Sequence, residues 1–124
     1  MTRLQLSRLR QRIRDLKGRR NTLERVAQQH HAMVAASLLE RRFRPGAPPA
    51  YYISIPSPET SRHRYVRKAE LDLIRRQTGA WREFSQAMTE WVRVNREIEL
   101  LLRTIGKGRC RKIDTLRGKR RKNR

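Results

Sequence analysis

Three histidines and one cysteine are the side chains best suited to metal binding or nucleophilic catalysis, and their spacing favours neither. His30 and His31 are adjacent, so on a helix they point in different directions, and His63 is distant along the chain. Zinc ligands on a helix typically stand three or four residues apart, with further Cys, Asp or Glu residues nearby. Cys110 has no histidine or acid close in sequence that could serve as its base. No glycine-rich phosphate loop, serine-hydrolase elbow or zinc-protease motif occurs. The sequence therefore predicts no metal, no cofactor and no enzymatic activity.

Arginine and lysine supply the chemistry that the chain carries in excess. They number 32 against 11 Asp and Glu, for a net charge of +21 at pH 7 in 124 residues. Because such an excess opposes compaction, an external polyanion must neutralise it, and the usual ones are DNA, RNA and anionic membrane surfaces. Arginine also binds phosphate as a planar fork and stacks on bases, although a GC-rich genome favours arginine as well.

The basic side chains are concentrated in three places. Residues 1–44 carry only two acids before Arg25, and residues 107–124 carry ten basic residues and one acid. Residues 68–105 are nearly neutral, with six acids between Ala69 and Leu102. Charged helix faces are commonly just solvated, but this imbalance favours phosphate contacts. The predicted nucleic-acid-binding residues are Arg8, Arg10, Arg12, Arg14, Lys17, Arg19, Arg20, Arg62, Arg64, Arg67, Lys107, Arg109, Arg111, Lys112, Arg117, Lys119, Arg120, Arg121 and Lys122.

Two long helices are predicted from apolar residues at alternating steps of three and four. The first covers residues 1–44, with a break near 18–21 as an alternative to one bent helix, and the second covers 68–105. Gly18 and the capping-box pattern Asn21–Glu24 suggest the break, and Gly106 and Gly108 are expected to end the second helix. The first apolar stripe is Leu6, Leu9, Ile13, Leu16, Leu23, Ala27, His30 and Val34, with Arg20 in the one remaining slot, and Leu38 and Leu39 extend it. The second is Ile74, Trp81, Phe84, Met88, Trp91, Asn95, Ile98, Leu102 and Ile105.

Residues 45–67 predict a Pro-rich turn followed by a β-hairpin, with strands at 50–55 and 62–66. Because alternate residues of a strand face opposite ways, we expect Arg62 and Arg64 to face a ligand and His63 and Tyr65 to pack inward. The hairpin tyrosines could equally stack on unpaired bases. Trp81, Phe84 and Trp91 are expected in the core, because their spacing matches the apolar stripe.

The predicted fold is mainly α: two long amphipathic helices form an antiparallel helical or coiled-coil hairpin, with a short β-hairpin between them and a basic tail. Residues 106–124 bury almost nothing, so we expect this tail to be disordered alone and to order, if at all, on a polyanion. The same apolar stripes could pair helices from two copies of the chain, so a homodimer is a second possible arrangement.

The centre of the chain resembles a family of small uncharacterised prokaryotic proteins with a helix–β-hairpin–helix layout. The matching residues are Tyr51-Tyr52-x-Ser54, then Arg64-Tyr65-Val66-x-Lys68 with Glu70-Leu71, then a long Arg- and Glu-rich helix to about Leu102. Family members commonly have proline where this chain has Arg67, and a glycine-containing turn where it has Pro56 and Pro58. The resemblance implies the architecture and no particular activity.

Charge and fold class together favour a non-enzymatic accessory or architectural protein that binds DNA or structured RNA through phosphate contacts, such as one from a prokaryotic mobile element. The alternative is a coiled-coil adaptor for an acidic or nucleoprotein partner, which nuclease sensitivity of the purified complex would distinguish. A membrane-surface role is third, because the second helix can cover the apolar face of the first. We expect a cytoplasmic protein associated with the nucleoid or with ribonucleoprotein, since no signal peptide or membrane span is recognised.

Overall fold

The computed structural model describes residues 1–56 and 62–113, which form two helices and a three-stranded antiparallel sheet. The elements are α1 (Arg3–Ala27), β1 (Ser37–Arg41), β2 (Ala50–Ile55), β3 (Arg62–Val66), a short 3-10 turn (Lys68–Glu70) and α2 (Leu71–Arg109). The chain divides into two compact units. Unit 1 contains Met1–Thr22 and the described residues from Trp91 onward, and unit 2 is Leu23–Glu90.

Helix α1 begins at a capping box. The backbone N–H of Gln5 donates to Thr2 Oγ1 at 3.1 Å, and the backbone N–H of Thr2 donates to Gln5 Oε1 at 2.8 Å. This reciprocal pair satisfies two donors near the start of the helix. The similar pattern at Asn21–Glu24 caps nothing, because α1 continues through it without the break near 18–21. Thr22 Oγ1 instead donates to the carbonyl of Gly18 at 3.2 Å, as a threonine inside a helix commonly does.

The prediction of a helix over residues 1–44 is wrong beyond Ala27. After a turn at Gln28 the chain is no longer helical, and after bends at residues 35 and 36 Ser37–Arg41 forms β1. Residues 28–44 contain good helix formers, but β2 offers an unpaired edge, and the ladder bonds formed there outweigh the local helix propensity. Of the predicted apolar stripe, His30 is exposed and non-helical, and Leu38 lies in the sheet.

The sheet has the order β1-β2-β3, and both predicted hairpin strands are confirmed with their predicted bounds. Ile53 lies opposite Leu38 on one side and Arg64 on the other, and Tyr51 lies opposite Val66. Residues directly opposite each other point to the same face. One face, the inner face, packs on α2 through a cluster listed here: Val34, Ala36, Leu38, Tyr51, Ile53, Val66, Leu71 and Ile74.

The connection between β1 and β2 contains a tight turn over Arg44–Ala47. The backbone N–H of Ala47 donates to the carbonyl of Arg44 at 3.1 Å, and Gly46 has a φ of 77°. Proline at the second position and a left-handed glycine at the third define a type II turn. Pro45 and Gly46 therefore shape a link between strands and do not mark the end of a helix.

Helix α2 carries charges that suit its dipole at both ends. Glu70 and Asp72 lie at its start, and Lys107 and Arg109 lie in its last turn. The expectation that Gly106 and Gly108 end the helix is wrong, since both lie inside it. A side chain at Gly108 would come within 2.7 Å of the Met1 side chain, so a neighbouring segment packs on this glycine within unit 1.

Two polar contacts join α1 to α2 within unit 1. Arg12 donates to Glu97 Oε1 at 2.9 Å, and Arg20 donates to Asn95 Oδ1 at 3.2 Å. Arg20 and Asn95 occupy polar slots in the two predicted apolar stripes, so each gives the other a hydrogen-bond partner. Among the described residues of this unit, the buried apolar ones are Ile13, Leu16, Val94 and Ile98. Leu102, predicted in the stripe, is 53% exposed.

Candidate nucleic-acid interface

The side of the sheet opposite the core cluster, here called the outer face, combines aromatic, basic and hydroxyl side chains. Strand pairing sets them in rows: Leu39 with Tyr52 and Tyr65, and Ser37 with Ser54 and His63. Tyr65 is 58% exposed, whereas Ile53 and Val66 of the inner face are each 5% exposed. The members of the outer face are Ser37, Leu39, Arg41, Ala50, Tyr52, Ser54, His63 and Tyr65.

The expected orientation of β3 is reversed. Tyr65 and His63 were expected to pack inward, but both are exposed on the outer face. Arg62 and Arg64 share the side of Val66 instead, although their own side chains remain exposed. The reason is the period of two along a strand: burying Val66 over Leu71 and Ile74 turns its neighbour Tyr65 to the opposite face.

Arg41 crosses the outer face from β1 to β3. Its guanidinium carbon lies 5.4 Å from the centre of the Tyr52 ring, and its Nη2 lies 2.8 Å from His63 Nδ1. Because a guanidinium can only donate, His63 Nδ1 is the acceptor of this hydrogen bond. The Tyr52 and Tyr65 rings meet edge to face, with centroids 5.6 Å apart. Arg41, Tyr52, His63 and Tyr65 thus form one connected group open to solvent.

Phe43 extends this chemistry into the β1–β2 connection. It is 78% exposed and has arginine on both sides, at Arg42 and Arg44. Arg42 donates to the carbonyl of Ala47 at 3.1 Å and to Glu40 at 3.2 Å, so the start of the connection is held in place. Sequence reasoning missed Arg41, Arg42 and Phe43 because it assigned them to a helix, and residues 37–43 show no polar–apolar alternation that would have indicated a strand.

Helix α1 carries nine Arg and Lys residues against two acids, and none of the acids lies in its first turn. A shallow hollow on its surface, here called the arginine hollow, is lined by Arg3, Leu6, Ser7, Arg10 and Arg14. Arg3 lies in the first turn, where its positive charge opposes the helix dipole and a bound anion would offset it. Three guanidinium groups and a serine hydroxyl are the donors that a phosphate group accepts from.

The other basic residues of α1 that were predicted to bind nucleic acid differ in whether they already pair with another side chain. Arg12 is paired with Glu97, Arg14 donates to Gln11 at 2.7 Å, and Arg20 is held by Asn95. Arg19 is exposed and also makes a contact of its own. Within residues 1–56 and 62–113, no ion pair involves Arg8, Arg10 or Lys17, and all three side chains are exposed.

The remaining predicted contacts lie outside α1. Arg67 is exposed directly before the 3-10 turn, and Lys107 and Arg109 are exposed in the last turn of α2. Arg111 and Lys112 follow that helix and are also exposed. Five of the predicted binding residues lie outside the described residues, namely Arg117, Lys119, Arg120, Arg121 and Lys122. Most of the tail at 106–124, which was predicted to be disordered, also lies outside them.

The described residues contain neither a metal-binding cluster nor a membrane-spanning helix. No three His, Cys, Asp or Glu side chains of the described part come close enough to hold a metal ion. Neither α1 nor α2, as far as the structure describes them, has the length and apolar character needed to span a bilayer. Cys110 is exposed, and its thiol donates to the carbonyl of Gly106 at 3.3 Å.

Comparison with known proteins gave no relative for this chain. No family model, no curated protein sequence and no solved structure matches it. The resemblance to the helix–β-hairpin–helix family therefore stays a prediction, and the function must be argued from the residues themselves.

Proposed function

We propose that this protein is a non-enzymatic nucleic-acid-binding protein that gains most of its affinity from phosphate contacts. The observation that carries the proposal is the arginine hollow: Arg3, Arg10 and Arg14 converge on one side of a helix whose first turn contains no acid. Converging guanidinium groups offer a binding place for an anion, and nucleic acid supplies a row of phosphate anions.

The packing within unit 1 supports the proposal that exposed basic residues of α1 contact phosphate. We propose that α1 and α2 pair there as an antiparallel coiled-coil hairpin, because the contacts Met1–Gly108, Arg12–Glu97 and Arg20–Asn95 run in opposite sequence order. Ile13 and Leu16 are buried on α1, whereas Arg8, Arg10 and Lys17 are exposed. The pairing therefore leaves a basic surface free for a ligand.

The decisive experiment is a salt titration of binding. With about 6–10 phosphate contacts, affinity for duplex DNA or RNA should fall roughly 10³- to 10⁵-fold between 50 and 200 mM salt. Replacing Arg10 and Arg14 together by Gln should make the slope of log K against log salt shallower by about 2, since each lost contact removes about 0.9.

A matched control is Arg82→Gln with Arg93→Gln, which removes two exposed arginines from the part of α2 that lies in the nearly neutral stretch 68–105. We expect this pair to leave the slope almost unchanged. Equal slopes for the two double variants would show that Arg10 and Arg14 contact no phosphate and would overturn the arginine hollow as the binding place. A salt-independent affinity, or a nuclease-resistant complex with an acidic protein, would instead favour the coiled-coil adaptor.

A further inference from the structure

Two aromatic side chains of unit 2 are exposed to solvent. Phe43 is 78% exposed and Tyr65 is 58% exposed, and neither belongs to the core cluster beneath the sheet. Tyr51, one residue before Tyr52, shows the contrasting case, because it packs into that cluster on the inner face. Exposed rings forgo the favourable burial of apolar area. A ligand with flat apolar faces would cover them.

The charges beside these rings indicate what kind of ligand this is. Arg41 lies against Tyr52, and Arg42 and Arg44 flank Phe43, whereas Glu40 is the one acid in the described chain from Ser37 to Ile55. A molecule with a flat apolar face and a negative charge fits such a surface, and a nucleotide has a flat base and a negatively charged phosphate. Arg41 can itself take part in stacking, because its guanidinium is planar.

We propose that the outer face of the sheet, together with Phe43, is a stacking platform for unpaired nucleotides of RNA. This inference rests on the proposed function and adds the class of nucleic acid. In a duplex each base stacks on its neighbours, so its flat face is not accessible, whereas bases of single strands and loops can stack on aromatic side chains. The platform therefore selects unpaired over paired nucleic acid.

The choice of RNA over single-stranded DNA comes from the neighbouring row of the sheet. Ser37, Ser54 and His63 lie side by side, next to the row that contains Tyr52 and Tyr65. The two serine hydroxyl groups can donate to and accept from a ribose 2′-hydroxyl, which is the group that distinguishes RNA from DNA. A nucleotide stacked on Tyr65 would bring its sugar close to this row.

The test measures binding of the full chain to a fluorescently labelled CAA-repeat RNA of about 15 nucleotides, which cannot pair with itself. The same sequence as single-stranded DNA, and a duplex DNA of equal length, are measured alongside it at about 0.15 M salt. We expect the RNA to bind at least several-fold tighter than either DNA.

Variants then identify the platform. Tyr65→Leu and Phe43→Leu should each weaken RNA binding by about 5- to 100-fold without changing the salt slope, because they remove a ring and no charge. Tyr65→Phe keeps the ring and should bind like the wild type. Val92→Ala, at a residue 59% exposed on α2, is the control for truncating an exposed apolar side chain.

The outcomes separate this inference from the proposed function. If RNA binds with the expected salt dependence but both Leu variants bind like the wild type, the platform is wrong and phosphate binding stands. Equal affinity for RNA and single-stranded DNA would overturn the assignment to RNA. If no nucleic acid binds even at low salt, the proposed function itself fails. Phe43 lies in an exposed connection, so its variant remains informative should Tyr65→Leu lower the folded fraction.

Discussion

At the scale of single residues, the Arg20–Asn95 pair of unit 1 shows how one side chain constrains another. Arg20 and Asn95 each occupy a position that an apolar residue would normally fill, and a hydrogen bond of 3.2 Å joins them. A polar residue at such a position specifies the alignment of two helices at some cost in stability. Shifting α2 by one turn would leave both groups without this partner.

Capping of α1 gives a prediction at the same scale. Thr2→Ala removes the hydroxyl that accepts from the backbone N–H of Gln5, and we expect the free energy of unfolding to fall by about 1 kcal/mol. Thr89→Ala is the control, since Thr89 is exposed within α2 and its hydroxyl only bonds back to Ser85. It should leave stability unchanged or raise it by a few tenths of a kcal/mol. Denaturant titrations that give equal values for the two variants would contradict the cap.

At the scale of elements, two glycines should respond oppositely to alanine. Gly46 has a φ of 77°, so Gly46→Ala strains the type II turn and should cost about 1 kcal/mol or more. Gly79 lies inside α2 with no atom within 4 Å of an added Cβ, so Gly79→Ala should stabilise the protein by about 0.5–1 kcal/mol. Thermal melting of both variants checks this pair of signs. A lower melting temperature for Gly79→Ala would mean that α2 is not helical at this residue.

The elements also show how far the sequence alone could lead. Both hairpin strands were predicted with correct bounds, because prolines and a β-branched, aromatic run mark them clearly. Leu38 and Leu39 were wrongly predicted as helical, because one apolar pair fits a helical stripe as well as a strand. Only pairing with the free edge of β2 makes them a strand. The orientation of Tyr65 was missed for a related reason: sequence alternation defines two faces, but contact with Ile74 decides which one is buried.

At the scale of the whole molecule, the surplus charge extends beyond the described helices into the end of the chain. Deleting residues 111–124 removes eight basic residues and one acid while leaving all of α2 in place. We expect weaker binding to RNA and DNA and a shallower salt slope, with the same melting temperature in the absence of ligand. A deletion from residue 107 would be a poorer test, because it removes the last turn of α2 and the contact of Met1 with Gly108.

Calorimetry and binding measurements on the truncated and full-length proteins separate an effect on stability from an effect on nucleic-acid affinity. A melting temperature lowered by several degrees would show that residues 111–124 contribute to the fold, contrary to expectation. An unchanged salt slope would show that they do not reach the nucleic acid.

The order β1-β2-β3 also has a consequence for solubility. Within the described residues, β1 and β3 each border only one strand, so each leaves backbone groups that could pair with another copy. β3 contains Arg62 and Arg64 and no acid, so two such edges repel each other. A bound polyanion cancels that repulsion. We therefore expect turbidity to peak where added phosphate charge matches that of the protein, and to clear again when either component is in excess.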